Sequence, residues 1–340
     1  MHKWIMRGRT FGQVEDHFIK SSDAENAKTV VFSLFGRFGD SLIGLATIRK
    51  YLDKHTHLTP TIVTTSHFRP YVKTVLPKAN TITISKRNPI DLIYKTYWLK
   101  RNNFDIGFNP YSWSEESEYY ISFAKKFSFF KSFTGQGEYD FLENYYLKAK
   151  RYLGLEFSRQ KINSLVLSNK GYSRILICPE SSETKRTVNP KSLFLVVDEL
   201  RKKFNPESIT IAASTEAYKI ASCDFFKFYK TEQSSEAFSQ LTISSGLMVC
   251  VDSGPLHLAM AINKPVIALF GGSLPESVVD QDFSKIQVIH NKALQNIYCL
   301  RKSCDDPKCF NDLFVDGFLD LEYEASDLKL SRGSMECEYK

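Results

Sequence analysis

Apolar residues in this chain fall into short runs of strand length, separated by stretches of helical period. "KTVVFSLF" (28–35) is such a run, and "GRFGDS" after it is a glycine-containing turn. In "LIGLATIRKYLDKH", Leu42, Leu45, Ile48 and Leu52 recur at spacings of three and four, which predicts a helix. "TPTIVTT", "NTITIS" and "FDIGFN" predict further strands. After about residue 160 the pattern restarts. "SRILICPESS" reads as a strand and loop, "PKSLFLVVDELRKKF" as an amphipathic helix, "ESITIAAS" as a strand and "SEAFSQLTISSG" as a helix. "LMVCVDSG", "PLHLAMAI" and "KPVIALFGG" then predict strand, helix, strand. Strands alternating with helices predict an α/β fold with parallel sheets covered on both faces. The expected organisation is a polar extension over 1–28, α/β domains over 29–165 and 166–310, and an acidic segment and tail over 311–340. The polar "SNKGYS" around Gly171 marks the join.

Composition changes this picture little. The apolar fraction of 43% and charged fraction of 24% are those of a globular chain. A formal charge of +7 points to an anionic partner. No apolar run approaches the roughly 18 residues of a membrane span, and the N-terminus lacks the apolar core of a secretory signal. A cytoplasmic location is expected. Cys178 and Cys250, in "ILIC" and "LMVCV", read as small hydrophobes.

The chemistry concentrates in "VDSGPLHLAMAINKPVIALFGGSLPES" (251–277). A buried strand delivers Asp252, Ser253 and Gly254 at its carboxyl end, where Gly254 lets backbone approach a ligand. Pro255 suits the first turn of a helix, and a helix N-terminus offers N–H groups and a positive dipole end to an anion. His257 falls in the same turn. The residues alone fit a phosphate cradle or a capped helix start with a core histidine equally well.

This segment resembles the Asp-Ser/Thr-Gly-x-x-His-Leu-Ala-x-Ala motif of the heptosyltransferase-like glycosyltransferases of family 9. "GRFGDSLIGLATIRKYL" is similar to the family's amino-terminal Gly-Asp loop and helix. "CPESSETKRTVNPKSLFLVVDEL" is similar to its Ser/Thr-x-x-x-Lys-Arg-Trp-Pro loop and helix, with Thr187 where the family has tryptophan and the proline shifted to Pro190. The resemblance spans about residues 29–320. It implies a GT-B fold, two Rossmann-like domains facing across a cleft. It also implies inverting, metal-independent sugar transfer from a nucleotide-sugar donor, with no cofactor. The donor implied is ADP-heptose, and the acceptor a lipid-linked oligosaccharide of the lipopolysaccharide or lipooligosaccharide core.

By this resemblance Asp40 is the catalytic base; by pattern alone it reads equally as a helix N-cap. Ser181, Ser182 and Lys185, with help from Arg186, match the diphosphate-binding loop, against a plain solvated basic loop. Ser253, Gly254, Leu256 and His257 match the donor-binding turn, and Asp252, counted with them as donor-binding, is expected to hold that loop together or to reach the sugar. Glu236 is a candidate ribose contact or simply a capping carboxylate. "EYYISFAKKFSFFKSF" (118–133) mixes aromatics with Lys125, Lys126 and Lys131 and is expected either to meet a phosphorylated lipid acceptor or an anionic membrane surface, or to be an amphipathic helix packing its aromatics inward. Peripheral attachment to the inner membrane follows from the former. No nucleic-acid partner is expected. Cys299, Cys304 and Cys309 lack a paired CxxC, so no metal is expected, although some protein-modifying relatives hold iron through a cysteine cluster. Two alternatives stay open: transfer to a protein acceptor such as an autotransporter, and a non-catalytic sugar-nucleotide- or glycan-binding relative.

Overall fold

The structure is a computed structural model, and it describes residues 19, 21–85, 87–112, 114–130, 144–156, 162, 172–219, 225–231, 234–290, 313–314 and 317–320. The chain divides into two compact units, Met1–Phe157 with Ser235–Ser239, and Ser158–Ser234 with Gln240–Lys340.

The first unit alternates helix and strand: α1 Ser21–Asn26, β1 Thr29–Leu34, α2 Phe38–Lys54, β2 Thr59–Thr64, α3 Arg69–Val75, β3 Asn80–Thr83, α4 Pro89–Arg101, β4 Ile106–Phe108, α5 Glu115–Ile121, β5 Lys126–Ser128 and α6 Tyr145–Tyr152. Its sheet is parallel throughout, in the order β3-β2-β1-β4-β5. All but the first residue of β1 is buried, as a central parallel strand with both faces covered requires. The expected polar extension is partly ordered: Ala24 and Ala27 are buried, and the Asp105 carboxylate accepts from the N–H groups of Lys28 (2.9 Å) and Thr29 (3.0 Å).

Of the two readings of 118–133, the single inward-packing helix is corrected in its geometry. α5 ends at Ile121, and the N–H groups of Lys125 and Lys126 bond the carbonyls of Phe104 and Asp105. Those bonds start β5 on the sheet edge, so the aromatic run changes from helical to strand geometry. Tyr119, Tyr120, Phe127, Phe129 and Phe130 are all buried. Lys125 pairs with Asp105 at 2.8 Å and Lys126 with Asp23 at 2.6 Å. Lys131 lies outside the described residues.

The second unit contains β6 Arg174–Cys178, α7 Pro190–Phe204, β7 Ser208–Ala213, β8 Phe226–Lys230, α8 Ser235–Ser244 (its first five residues group with the first unit), β9 Leu247–Val251, α9 Gly254–Ala261, β10 Val266–Phe270, α10 Pro275–Val278 and β11 Ile286–His290. Its sheet is also parallel, in the order β11-β10-β9-β6-β7-β8. β9, β10 and β11 are buried at every residue. α7 buries Leu193, Val196, Val197, Leu200 and Phe204 against Ile175, Ile177, Val249 and Val251. It begins where the sequence indicated, with Asn189 Oδ1 accepting from the Ser192 N–H (2.7 Å) and Pro190 in the first turn. That capping role accounts for the position of this proline.

Candidate functional site

Ligands of open parallel sheets bind beyond the carboxyl ends of the strands, where strand order reverses. Here the reversals fall between β1 and β4 in the first sheet, and between β6 and β9 in the second. Both are where the sequence motifs lie.

At the first reversal, β1 leads into Gly36 and α2, and β4 leads into residues 109–112. Asp40 sits in the first turn of α2, partly buried, and Arg37 occupies the N-cap without a side-chain cap. The Arg37 backbone N–H bonds the Asp40 carboxylate, the reach-back of a capping box. Burial nevertheless dominates and raises the Asp40 carboxyl above its ordinary value, against the opposing pull of Arg37. Asp40 is thus not the N-cap that the pattern allowed: Arg37 holds that position, and Asp40 is the third residue of the helix. Gly44 is required here: a Cβ would stand 2.7 Å from the Pro110 carbonyl oxygen. That close approach seats α2 against the loop after β4.

The loop is held by Asn109, whose Oδ1 accepts from the Phe130 N–H (2.8 Å) and the Tyr152 hydroxyl (3.2 Å), and whose Nδ2 donates to Ser112 O (3.1 Å). Tyr111, at φ 57°, stands in the left-handed region and packs against Phe130 and Tyr145. Burial raises its hydroxyl far above the usual range, and the Asp40 charge adds to the rise. Sequence reasoning missed Tyr111; a tyrosine right after an Asn-Pro strand end was its one available signal.

At the second reversal, residues 179–188 follow β6 and residues 252–254 follow β9. Thr187 laces the first loop. Its hydroxyl accepts from the Ser181 N–H (3.1 Å) and lies 3.3 Å from the Glu183 carbonyl, while Val188 N–H bonds Pro179 O (2.9 Å). A threonine thus closes this loop where the family pattern has tryptophan. Lys185 is only 7% exposed, with Nζ 3.2 Å from Glu183 Oε2. Arg186 Nη1 lies 2.8 Å from Asp252 Oδ2 and Nη2 lies 3.3 Å from Glu183 Oε1. The 179–188 loop and the 252 turn are therefore clamped by one guanidinium. Asp252 is held in this clamp by Arg186. The two residues are 66 apart in sequence, so the pair carried no local signal.

The helix start is narrower as an anion site than the motif suggests. Ser253 is the N-cap, but its hydroxyl donates to Val251 O (3.2 Å). Pro255 has no N–H. Leu256 N–H bonds Ser253 O (3.1 Å), and its side chain is fully buried. Of the first-turn backbone groups, that leaves the Gly254 N–H as the donor with no intrahelical acceptor. His257 is buried, and burial pushes its imidazole down to about 4, with Asp252 opposing and Arg186 assisting. It is neutral at pH 7. Ser181 Oγ is 3.5 Å from the Glu183 N–H, and Ser182 is exposed. Glu236 is exposed in the first turn of α8, the position of a helix-start carboxylate.

His290, at the end of β11, was not singled out by the sequence. Its Nε2 is 3.2 Å from Gly271 O, in the loop after β10, and burial pushes it down to about 4. Among the described residues no group of three or more His, Cys, Asp and Glu side chains is arranged to hold a metal ion. Cys299, Cys304 and Cys309 lie outside the described residues.

Residues 235–309 match the model of glycosyltransferase family 9 (heptosyltransferase). No curated protein matches the chain in sequence. Among solved structures, E. coli ADP-heptose lps heptosyltransferase II aligns at a TM-score of 0.57 and 15% identity, over 86% of this chain and 98% of its own. The glycosyltransferase family 9 protein of Veillonella parvula aligns at 0.53 and 16% identity, over 78% and 87%. E. coli heptosyltransferase WaaC with ADP-2-deoxy-2-fluoro heptose aligns at 0.51 and 12%, over 77% and 93%. At these identities the likeness is one of fold. The family resemblance is borne out where the family model matches: this chain carries a glycosyltransferase family 9 (heptosyltransferase) segment at 235–309, which contains the 251–277 motif, within the two-sheet GT-B fold of the solved structures.

Proposed function

We propose that this protein is an inverting glycosyltransferase. It moves heptose from ADP-heptose onto a lipid-linked oligosaccharide of the lipopolysaccharide or lipooligosaccharide core, at the cytoplasmic face of the inner membrane. The observation that carries the reading is the buried Lys185 beside the Arg186–Asp252 clamp and the α9 turn, at the reversal of the second sheet. The acceptor hydroxyl oxygen attacks the anomeric carbon as the bond from that carbon to the diphosphate oxygen breaks. The hydroxyl proton passes to the Asp40 carboxylate. ADP leaves with the bond's electrons, and the charge growing on its diphosphate is met by the Lys185 ammonium, the Gly254 N–H and the α9 dipole. These groups supply the positive charge, so the step as proposed is metal-independent. Neutral His257 adds nothing to the cationic field. The donor assignment is supported by the E. coli heptosyltransferase held with an ADP-heptose analogue.

The test is ADP release on mixing the purified protein, ADP-heptose and core lipooligosaccharide lacking heptose. Acceptor-dependent ADP release is expected. Release only from a UDP- or GDP-linked donor overturns the heptose assignment. Release with no donor and acceptor pair tried would bring the non-catalytic binding role forward.

A further inference from the structure

One face of α4 is unused by the fold. Ile90, Ile93, Tyr94 and Tyr97 are 79, 54, 66 and 57% exposed. Their spacing of i, i+3, i+4 and i+7 makes them one stripe. The opposite face is an ordinary core face, with Leu92 and Leu99 buried among Val31, Val63, Ile84 and Phe104. α4 is thus fixed to the sheet by one apolar face and presents a second to solvent.

On this helix and its lead-in, the charges flanking the stripe with no acid partner among the described residues are Arg87, Lys100 and Arg101. Exposed Arg87 precedes it, and exposed Lys100 and Arg101 follow it. The Arg101 guanidinium stands 5.4 Å from the Tyr97 ring centroid. The helix's single acid, Asp91, is neutralised by Lys95 at 2.8 Å. Aliphatic side chains, two tyrosines and flanking cations on one helix face suit an anionic lipid interface. The rings sit at headgroup depth, the cations meet lipid phosphates, and the isoleucines enter the acyl boundary. A second copy fits less well. A two-fold axis across the stripe would bring the cations of both copies together. Four side chains, on the order of 500 Å² at most, also fall short of the roughly 800 Å² per partner of a standard protein interface.

We propose that α4 docks the first unit on an anionic membrane surface; in the 118–133 stretch, by contrast, Tyr119, Tyr120, Phe127, Phe129 and Phe130 are core. The inference rests on the proposed function only for its purpose, to bring the enzyme to a lipid-linked acceptor. Its test needs neither donor nor acceptor.

The full chain is sedimented with vesicles of phosphatidylcholine mixed with phosphatidylglycerol, and with phosphatidylcholine alone. Binding is expected to the mixed vesicles, and added salt should weaken it. Combining Ile90→Ser with Tyr94→Ser should lower the partition constant at least about tenfold. Combining Lys100→Gln with Arg101→Gln should lower it about fivefold per residue. All four positions are exposed, so an unchanged thermal midpoint checks folding. Three results overturn the proposal: no binding by the parent chain, equal binding by the apolar variant, or a parent dimer that the apolar variant converts to monomer while vesicle binding is absent. Failure of sugar transfer with vesicle binding intact strikes the proposed function alone; the reverse pattern strikes this proposal alone.

Discussion

At the reversal of the first sheet, a partly buried carboxylate, Asp40, stands beside Arg37, and its charge reaches Tyr111, a residue in the left-handed region. At the reversal of the second, Lys185, Glu183, Arg186 and Asp252 form a linked set of charges over a helix start. Both places are built by the same βαβ topology, and both use a loop, a helix N-terminus and a neighbouring strand end. Their chemistry differs because their surroundings differ. The first environment raises the affinity of a carboxylate for a proton, as a base requires. The second holds the cations Lys185 and Arg186 among carboxylates, which suits the diphosphate site proposed above. Fold places both sites, and the local dielectric and charge set decide what each does.

The largest expected effect lies at the first site. Asp40→Asn should lower kcat about 10²- to 10⁴-fold and leave nucleotide affinity unchanged. The acid limb of kcat/KM should lie above 3.8, the ordinary value of an aspartate, because the base works only once ionised. Loss of nucleotide binding in this variant would break the division between the sites. At the second site, Asp252→Asn leaves Arg186 without its closest partner and should cost about 3 kcal/mol in urea unfolding. Combining it with Arg186→Met should recover part of that loss, a coupling that a double-mutant cycle reads directly.

Lys185→Ala should weaken ADP binding about 10- to 100-fold, the worth of a hydrogen bond to a charged group, measured by calorimetry. The buried histidines belong to the second unit, and they set a pH dependence. His257 and His290 are held down to about 4 in the folded chain, against 6.5 when unfolded. The unfolded chain therefore takes up protons first as pH falls. Stability from the neutral imidazoles is full above pH 6.5 and is lost between 6.5 and 4. Unfolding at pH 5 should show roughly 2 kcal/mol less stability per histidine than at pH 7, and His257→Gln should flatten its share of that slope. The smallest effect is expected from Thr187→Val, which removes the lacing of the 181–187 loop and should cost about 1 kcal/mol with a modest rise in donor KM.

Local periodicity carried most of the fold. α7 and the run from β9 to β10 were legible because their apolar spacing, caps and turn residues agree. α4 was not, because its apolar residues lie on two opposite faces and dilute the period. The 118–133 stretch misled because aromatics crowd it at both periods, and a backbone pairing to Phe104 and Asp105 decided between them. Of the candidate sites, the anion-binding turn was legible as a motif, but the Arg186–Asp252 clamp and the Asp40–Tyr111 proximity are products of tertiary folding. The motif also overstated the turn: Pro255 and the Leu256 N–H are not available to a ligand, which only the backbone geometry reveals.

The central claim is that the second site is built for a nucleoside diphosphate. Its most direct test is thermal unfolding of the parent chain and of Lys185→Ala, titrated with ADP, UDP and GDP. A ligand that binds only the folded state raises its stability by RT ln(1 + [L]/Kd). A rise with ADP is expected in the parent chain and should be largely lost in Lys185→Ala. Absence of a rise with all three nucleotides, or an equal rise in both chains, would contradict it.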